Sequence, residues 1–119
     1  MSSEIRLKKI NGSYRLLDGK NKSNSRANKF LNATELRGLS LQTTRAYGYD
    51  LLYLHRWLSL SKKQWKGFSQ RDLLKFISYQ KAQDAKPKSI NRRLTTCELF
   101  YSFCFNNAVQ ASQGVSMPS

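Results

Sequence analysis

Residues 40–59 read SLQTTRAYGYDLLYLHRWLS, and this stretch decides the fold. Its apolar side chains recur at spacings of four, three and four residues, which is the period of one face of an α-helix. Ser40 is a favourable N-cap residue, so the pattern predicts a helix from 41 to about 59. The face expected to meet the core carries Tyr47, Leu51, Leu54 and Leu58.

Three further helices are predicted around this one. Helical spacing places a helix at about 25–37, ended by Gly38, because glycine commonly terminates helices. Ser69 and Asp72 have the spacing of a capping box and open a helix that runs to about 83. A fourth helix is predicted at about 88–107. Its expected core stripe consists of Ile90, Leu94, Cys97, Tyr101, Cys104 and Ala108.

The chain before residue 25 has a different pattern. The dipeptide Asn11-Gly12 separates two short runs and is a strong hairpin signal, because both residues tolerate the positive φ of a type I′ turn. The pairs expected across the turn are Leu7 with Leu16 and Lys9 with Tyr14. Such a hairpin has a thin apolar face that cannot stand alone. We therefore expect a short hairpin or a frayed arm, followed by a basic linker.

These segments predict an all-α fold, a four-helix bundle with a possible short N-terminal β-hairpin or arm. The expected division is an arm or hairpin with a basic linker at 1–24, a helical domain at 25–108 and a flexible tail at 109–119. The stretch 59–67 breaks the helical period and is expected to be a loop that tucks Trp65 under a neighbour.

Charge narrows the class of partner. The chain has 119 residues, with 21 Lys and Arg against 7 Asp and Glu, giving a net charge of +14. This length is one small domain and excludes a large multidomain enzyme. The excess of positive charge makes a polyanion the first partner to consider, whether nucleic acid, an anionic membrane surface or an acidic protein.

Several other classes of site and location are disfavoured. The N-terminus has no apolar signal region and no run is long enough for a membrane helix, so we expect a cytoplasmic protein. Cys97 and Cys104 lie two helical turns apart, too far for a disulfide, and are expected to be reduced core residues. His55 is the single histidine, which leaves no metal site to propose, and we expect no cofactor.

Two helix faces carry the candidate functional residues. Opposite the core direction, the second helix places Gln42, Arg45, Tyr49 and Arg56. The fourth helix places Lys88, Arg92 and Thr95 opposite its core, with Ser89, Arg93 and Thr96 on a flank. Both sets concentrate near helix N-termini, where free N–H groups favour anions. The alternative for both faces is a merely solvated surface.

Leu99 and Phe103 lie nearly opposite the core stripe of the fourth helix. A monomeric bundle does not require apolar residues there. They are expected either to cover a second apolar surface, such as that of the hairpin, or to pack against something outside this chain.

These residues resemble a known family. Ser40, Thr43, Tyr47, Asp50-Leu51 and Trp57-Leu58 are similar in order and spacing to the N-terminal core-binding domain of tyrosine recombinases of the phage-integrase type. The segments 27–31 and 37–40 fit the same pattern, as do 88–94 and 99–103. The resemblance spans about 26–107.

The resemblance implies a SAM-like four-helix bundle that grips one face of the recombination-site duplex. A separate catalytic domain, part of the same parent chain, would cut and rejoin strands, and oligomers on DNA would form through the parent protein. This chain has no His-x-x-Arg sequence, so we expect a non-catalytic fragment in which none of Tyr47, Tyr49, Tyr53, Tyr79 and Tyr101 is a nucleophile.

By position, the resemblance places two groups of side chains against double-stranded DNA. From the second helix they are Gln42, Thr43, Thr44, Arg45 and Tyr49; from the fourth they are Lys86, Lys88, Ser89, Asn91, Arg92 and Arg93. The alternatives are a small helical protein–protein interaction module and a standalone DNA-binding regulator.

Overall fold

The structure, a computed structural model, describes residues 5–17, 25–62 and 69–113, with side chains described as far as Phe105. The elements in chain order are β1 (Arg6–Ile10), β2 (Ser13–Leu17), α1 (Ser25–Leu36), α2 (Leu41–Leu60), α3 (Gln70–Ala82) and α4 (Pro87–Gln113). The predicted all-α bundle with an N-terminal hairpin is confirmed. The fourth helix was predicted to end near 107 and continues to Gln113. The predicted linker at 18–24, the placement of Trp65 and the tail from 114 onward lie outside the described residues.

Local side-chain chemistry sets the helix ends. The Ser40 side chain accepts a hydrogen bond from the Thr43 backbone N–H at 3.1 Å and so caps α2. At α3, the Asp72 backbone N–H donates to Ser69 Oγ at 3.2 Å and the Ser69 backbone N–H donates to Asp72 Oδ2 at 2.9 Å. This reciprocal pair is the predicted capping box. Gly38 follows α1 with a φ of +81°, a left-handed conformation that glycine adopts without strain.

The core stripe of α4 differs from the prediction. Phe100 is fully buried and meets Phe30 of α1 edge-on at 5.7 Å between ring centroids. Of the six stripe residues predicted, Ile90, Cys97 and Cys104 are buried and Leu94 and Tyr101 are half-buried, while the side chain of Ala108 is not described. The stripe is displaced because α4 packs against α1 as well as α2, and a second partner widens the buried face.

The two apolar residues predicted to lie away from the core, Leu99 and Phe103, differ in their exposure. Phe103 is half-buried and packs edge-on against Phe30, with ring centroids 5.6 Å apart. Leu99 remains 43% exposed. Neither is needed to cover the hairpin, whose apolar residues pack against α1 and α2.

Both cysteines are buried and free, as predicted. Burial raises the pKa of the Cys97 thiol to about 12. Burial also raises the pKa of the Cys104 thiol. A buried thiol that stays protonated behaves as a small apolar side chain and is a poor nucleophile.

The hairpin has the predicted turn and register. Asn11 and Gly12 both have positive φ, at 51° and 82°, as a type I′ turn requires. The pairs Leu7–Leu16 and Lys9–Tyr14 face each other. A two-residue turn therefore fixes which backbone groups point inward between the strands and which point outward.

The hairpin is held on the bundle from two sides. On the α1 side, the Asn28 side chain accepts a hydrogen bond from the Leu16 backbone N–H at 2.7 Å and donates one to the Leu16 carbonyl at 3.0 Å. These two bonds satisfy the backbone N–H and C=O of Leu16, which point away from β1. On the α2 side, the Leu7 side chain packs directly on Gly48: a Cβ added there would lie 2.8 Å from Leu7 Cδ1, so a larger residue would require the leucine side chain to shift. The hairpin is thus part of the packed fold and not a frayed arm.

His55 gives the core a pH-dependent element. Its Nδ1 donates to the Leu51 carbonyl at 2.7 Å, and its Nε2 has no hydrogen-bond partner among the described residues. Burial, with a smaller contribution from the positive charge of Arg26, lowers the pKa of His55 below its ordinary value of 6.5. The native state therefore holds the neutral imidazole, and the unfolded chain binds a proton more readily.

We expect the fold to lose stability as the pH falls below about 6.5, because protonation of the unfolded chain pulls the equilibrium away from the native state. The melting temperature should be lower at about pH 5.5 than at about pH 7.5, and His55→Leu should remove most of this difference. His55 is the single histidine in the chain, so no other imidazole titrates in this interval. Equal losses in the wild type and the variant would contradict the assignment.

Candidate nucleic-acid interface

The exposed stripe of α2 consists of the four residues that the helical wheel predicted. Gln42, Arg45, Tyr49 and Arg56 are all exposed to solvent. The guanidinium of Arg45 lies 5.1 Å from the centroid of the Tyr49 ring, one turn further along the helix. A cation over an aromatic face holds both groups in a defined orientation at the surface.

A buried carboxylate joins this stripe to α4. Asp50 on α2 is 1% exposed and accepts hydrogen bonds from Arg92 Nη2 at 2.8 Å and Arg92 Nε at 3.1 Å. The Thr96 hydroxyl donates to the other carboxylate oxygen at 2.7 Å. The hydrogen bond to Asp50 is the main reason that the pKa of Arg92 is raised. The first half of α4 is therefore fixed beside the middle of α2.

Arg92 thus has a structural partner that the sequence analysis did not predict. Its side chain is still 53% exposed, and its Nε and Nη2 face Asp50. The planar guanidinium therefore leaves Nη1 for a group outside the protein. An arginine held in this way is oriented before it meets a ligand, which lowers the entropy cost of binding.

Arg93 is held by α3 and α2. Its guanidinium lies 3.9 Å from the centroid of the Tyr53 ring, and its Nη1 donates to Gln80 Oε1 at 3.1 Å. Burial raises the pKa of Tyr53, and the charge of Arg93 opposes that shift. Arg93 is half-buried, so much of its donor capacity is directed into the protein.

The remaining predicted contacts on α4 lie at its beginning. Lys86, Lys88 and Asn91 are exposed, and Ser89 is half-buried. Pro87 is the first residue of the helix, a position where proline is well tolerated. The basic side chains therefore surround a helix N-terminus, as the sequence predicted.

One of the predicted contact residues, Thr44, is not on the surface. Thr44 is fully buried; its hydroxyl donates to the Ser40 carbonyl at 3.2 Å and lies 3.5 Å from Thr34 Oγ1 of α1. The resemblance placed Thr44 against DNA by position, but α1 covers that side of α2 and buries it. Thr43 is half-buried, and its hydroxyl lies 3.0 Å from Ser40 Oγ.

Few acidic side chains lie among the basic ones on this surface, and the one on α2, Asp50, pairs with Arg92. The hairpin strands and their turn contain no Asp or Glu, and α2 contains Asp50 alone, which is buried and paired. Within the described residues, the exposed carboxylates are Asp84, between α3 and α4, and Glu98, further along α4. A surface kept soluble by mixed charges would place acids among the bases.

Other kinds of site find no support in the described part of the chain. No group of three or more side chains there could hold a metal ion. No helix among those residues is long and apolar enough to cross a membrane.

Comparisons with known proteins agree with this fold. A family profile described as "Phage integrase, N-terminal SAM-like domain" matches residues 27–107. Over 75 residues, the chain is 31% identical to Tyrosine recombinase XerC from Staphylococcus aureus strain JH9 and to that from strain Mu50. It is 29% identical to XerC from strain bovine RF122 over the same length.

The shared region is a small part of those relatives. It covers 62% of this chain and 25% of each relative, so the match spans about a quarter of the length of the curated proteins. No solved structure matches the chain. The profile, however, covers well over half of the chain and runs from the first turn of α1 into α4. The chain therefore belongs to the family of phage integrase N-terminal SAM-like domains.

Proposed function

We propose that the chain is the DNA-binding module of a tyrosine recombinase and contacts the recombination-site duplex through α2 and the beginning of α4. The observation that carries the proposal is the Asp50–Arg92–Thr96 contact, which joins two basic elements into one surface. No unpaired carboxylate on α2 opposes a phosphate there.

The side chains of this surface divide by chemistry. Arginine and lysine donate to phosphate oxygens, and most contacts in such complexes go to the backbone. Gln42 and Asn91 can also donate to and accept from base edges, but two amides give little sequence discrimination. The surface consists of Gln42, Thr43, Arg45, Tyr49, Lys86, Lys88, Ser89, Asn91, Arg92 and Arg93.

Strand cleavage and rejoining belong, in this proposal, to another part of the parent protein. The relatives are named tyrosine recombinases, and this chain matches a quarter of their length. Its single histidine is buried against Leu51 and Phe100 and cannot reach a phosphate. Assembly on DNA would likewise depend on the parent chain, and the protein would act in the bacterial cytoplasm.

A protein-interaction module is the second candidate. A groove of about 250 Å³ lies between α1 and α4 and is lined in part by Leu39, Leu99 and Phe103. Of these lining residues, Leu39 is 38% exposed and Leu99 is 43% exposed. Exposed apolar residues around a groove are typical of contact surfaces.

Titration of fluorescent duplex DNA by anisotropy at several salt concentrations separates the two candidates. Binding to phosphates releases counterions, so the proposal predicts a steep loss of affinity with salt. Arg45→Ala is expected to weaken binding by about 1 kcal/mol, or to reduce the salt slope by about one unit if Arg45 contacts phosphate alone.

Lys29→Ala provides the matched control for Arg45→Ala. Lys29 is an exposed cation on α1, which packs on the side of α2 away from Tyr49. Its loss should leave the slope nearly unchanged. Absence of binding by the wild type at low salt would overturn the DNA-binding proposal and favour the protein-interaction module.

A further inference from the structure

The hairpin register determines which backbone groups lie on the outer edge of β1, the edge away from β2. In a hairpin closed by a two-residue turn, hydrogen-bonded and non-hydrogen-bonded pairs alternate away from the turn. The closing pair is Ile10–Ser13, so Lys9–Tyr14 and Leu7–Leu16 are non-hydrogen-bonded pairs. Two contacts agree with this assignment, because the Leu16 backbone bonds outward to Asn28 and the Ile5 carbonyl accepts outward from Arg56. The N–H groups of Leu7 and Lys9 therefore point away from β2.

This edge lies on the same side of the protein as the α2 stripe. The outer edge of β2 faces α1 through Asn28, and α1 packs against Thr44 and Tyr47, on the side of α2 opposite Tyr49. The outer edge of β1 faces the other way. Arg56, a member of the stripe, reaches the Ile5 carbonyl with Nη2 at 3.1 Å and Nε at 3.3 Å. The edge and the stripe therefore meet.

The edge is strongly basic. Lys8 and Lys9 are both exposed, and because side chains alternate along a strand they lean to its two faces and straddle the edge. Lys9 Nζ lies 6.0 Å from the Tyr14 ring centroid, so it is only loosely held by the protein. The hairpin contributes no acidic residue to compensate either charge.

We propose that the outer edge of β1 is a second DNA-backbone contact, in which Lys8, Lys9 and the outward N–H groups of Leu7 and Lys9 bind phosphates of the duplex that lies on α2. This inference rests on the proposed function and extends its surface beyond the helices. The fixed docking of the hairpin through Asn28 and Gly48 gives the contact a defined position.

The competing explanation is protective. Lysines on an exposed edge strand discourage pairing with another chain and need have no ligand. The two explanations differ in what happens to DNA affinity when the charges are removed. They agree on stability, because neither lysine is buried.

The test compares two double variants of the full chain by duplex-DNA anisotropy. Lys8→Gln with Lys9→Gln removes two charges from the edge, and Lys29→Gln with Arg37→Gln removes two exposed charges from α1 and the residue after it. The edge variant is expected to bind about tenfold more weakly at about 100 mM salt, with a salt slope smaller by about two units. The control is expected to change either quantity much less. Thermal melting confirms that both variants remain folded.

The outcomes separate this inference from the proposed function. If the wild type binds, Arg45→Ala weakens binding and the edge variant matches the Lys29/Arg37 control, the edge contact is overturned while the proposed function stands. If the wild type does not bind duplex DNA at low salt, both are overturned. A selective loss in the edge variant supports the contact.

Discussion

Arg92→Ala is expected to lower the free energy of unfolding by about 3 kcal/mol, because it leaves a buried carboxylate without its cation. Asp50 is 1% exposed, and two of its hydrogen-bond donors are Arg92 nitrogens. The Thr96 hydroxyl remains, but a neutral donor does not balance a buried charge. The half-exposed position of Arg92 lets some water reach Asp50 in the variant, which places the effect at the low end for a broken buried pair.

Urea denaturation followed by circular dichroism measures this loss. Arg45→Ala is the control, since Arg45 is exposed and its guanidinium packs on the ring of Tyr49. Its effect should stay within about 0.5 kcal/mol. Arg92→Lys should fall between the two, because lysine keeps the charge and loses the fork that binds both carboxylate oxygens.

A second substitution shows whether the stranded charge is the cause. Adding Asp50→Asn to Arg92→Ala should recover part of the lost stability, because the uncompensated carboxylate is removed. A double variant less stable than Arg92→Ala would contradict the electrostatic explanation. DNA titrations with Arg92 variants belong at a temperature where each is fully folded, so that stability and contact are not confused.

Features with a local cause were predictable from the sequence. The type I′ turn at Asn11-Gly12 needs two residues that tolerate positive φ, and the register of the strands follows from it. The capping box of Ser69 and Asp72 and the C-terminal glycine of α1 are equally local. The exposed stripe of α2 followed from helical periodicity alone.

Features that depend on which elements pack against a helix were not predictable from the sequence. The resemblance placed Thr44 against DNA, and the contact with Thr34 of α1 shows instead that it is buried. The position of Asp50 next to buried leucines indicates that its carboxylate needs a cation. The sequence does not identify that cation, because Arg92 lies 42 residues away. The docking of Leu7 on Gly48 likewise joins segments that no local pattern connects.

Phe100 is a further residue whose burial depends on neighbouring helices, and it has the largest expected effect on stability. The wheel centred the core of α4 on Ile90, Leu94 and Cys97, and Phe100 was not among the predicted core residues. In the structure it is fully buried, with its ring centroid 5.7 Å from that of Phe30 and 5.8 Å from that of His55. It therefore lies where α1, α2 and α4 meet.

Phe100→Ala is expected to lower the free energy of unfolding by about 4 kcal/mol, through lost transfer energy and the cavity left among three helices. Phe105→Ala is a matched control on the same helix, because Phe105 is 67% exposed, and it should change stability by less than about 0.5 kcal/mol. Urea denaturation of both variants measures the difference. Similar losses in the two would mean that α4 presents a different face to the bundle, which would also remove the basis for placing Arg92 beside Asp50.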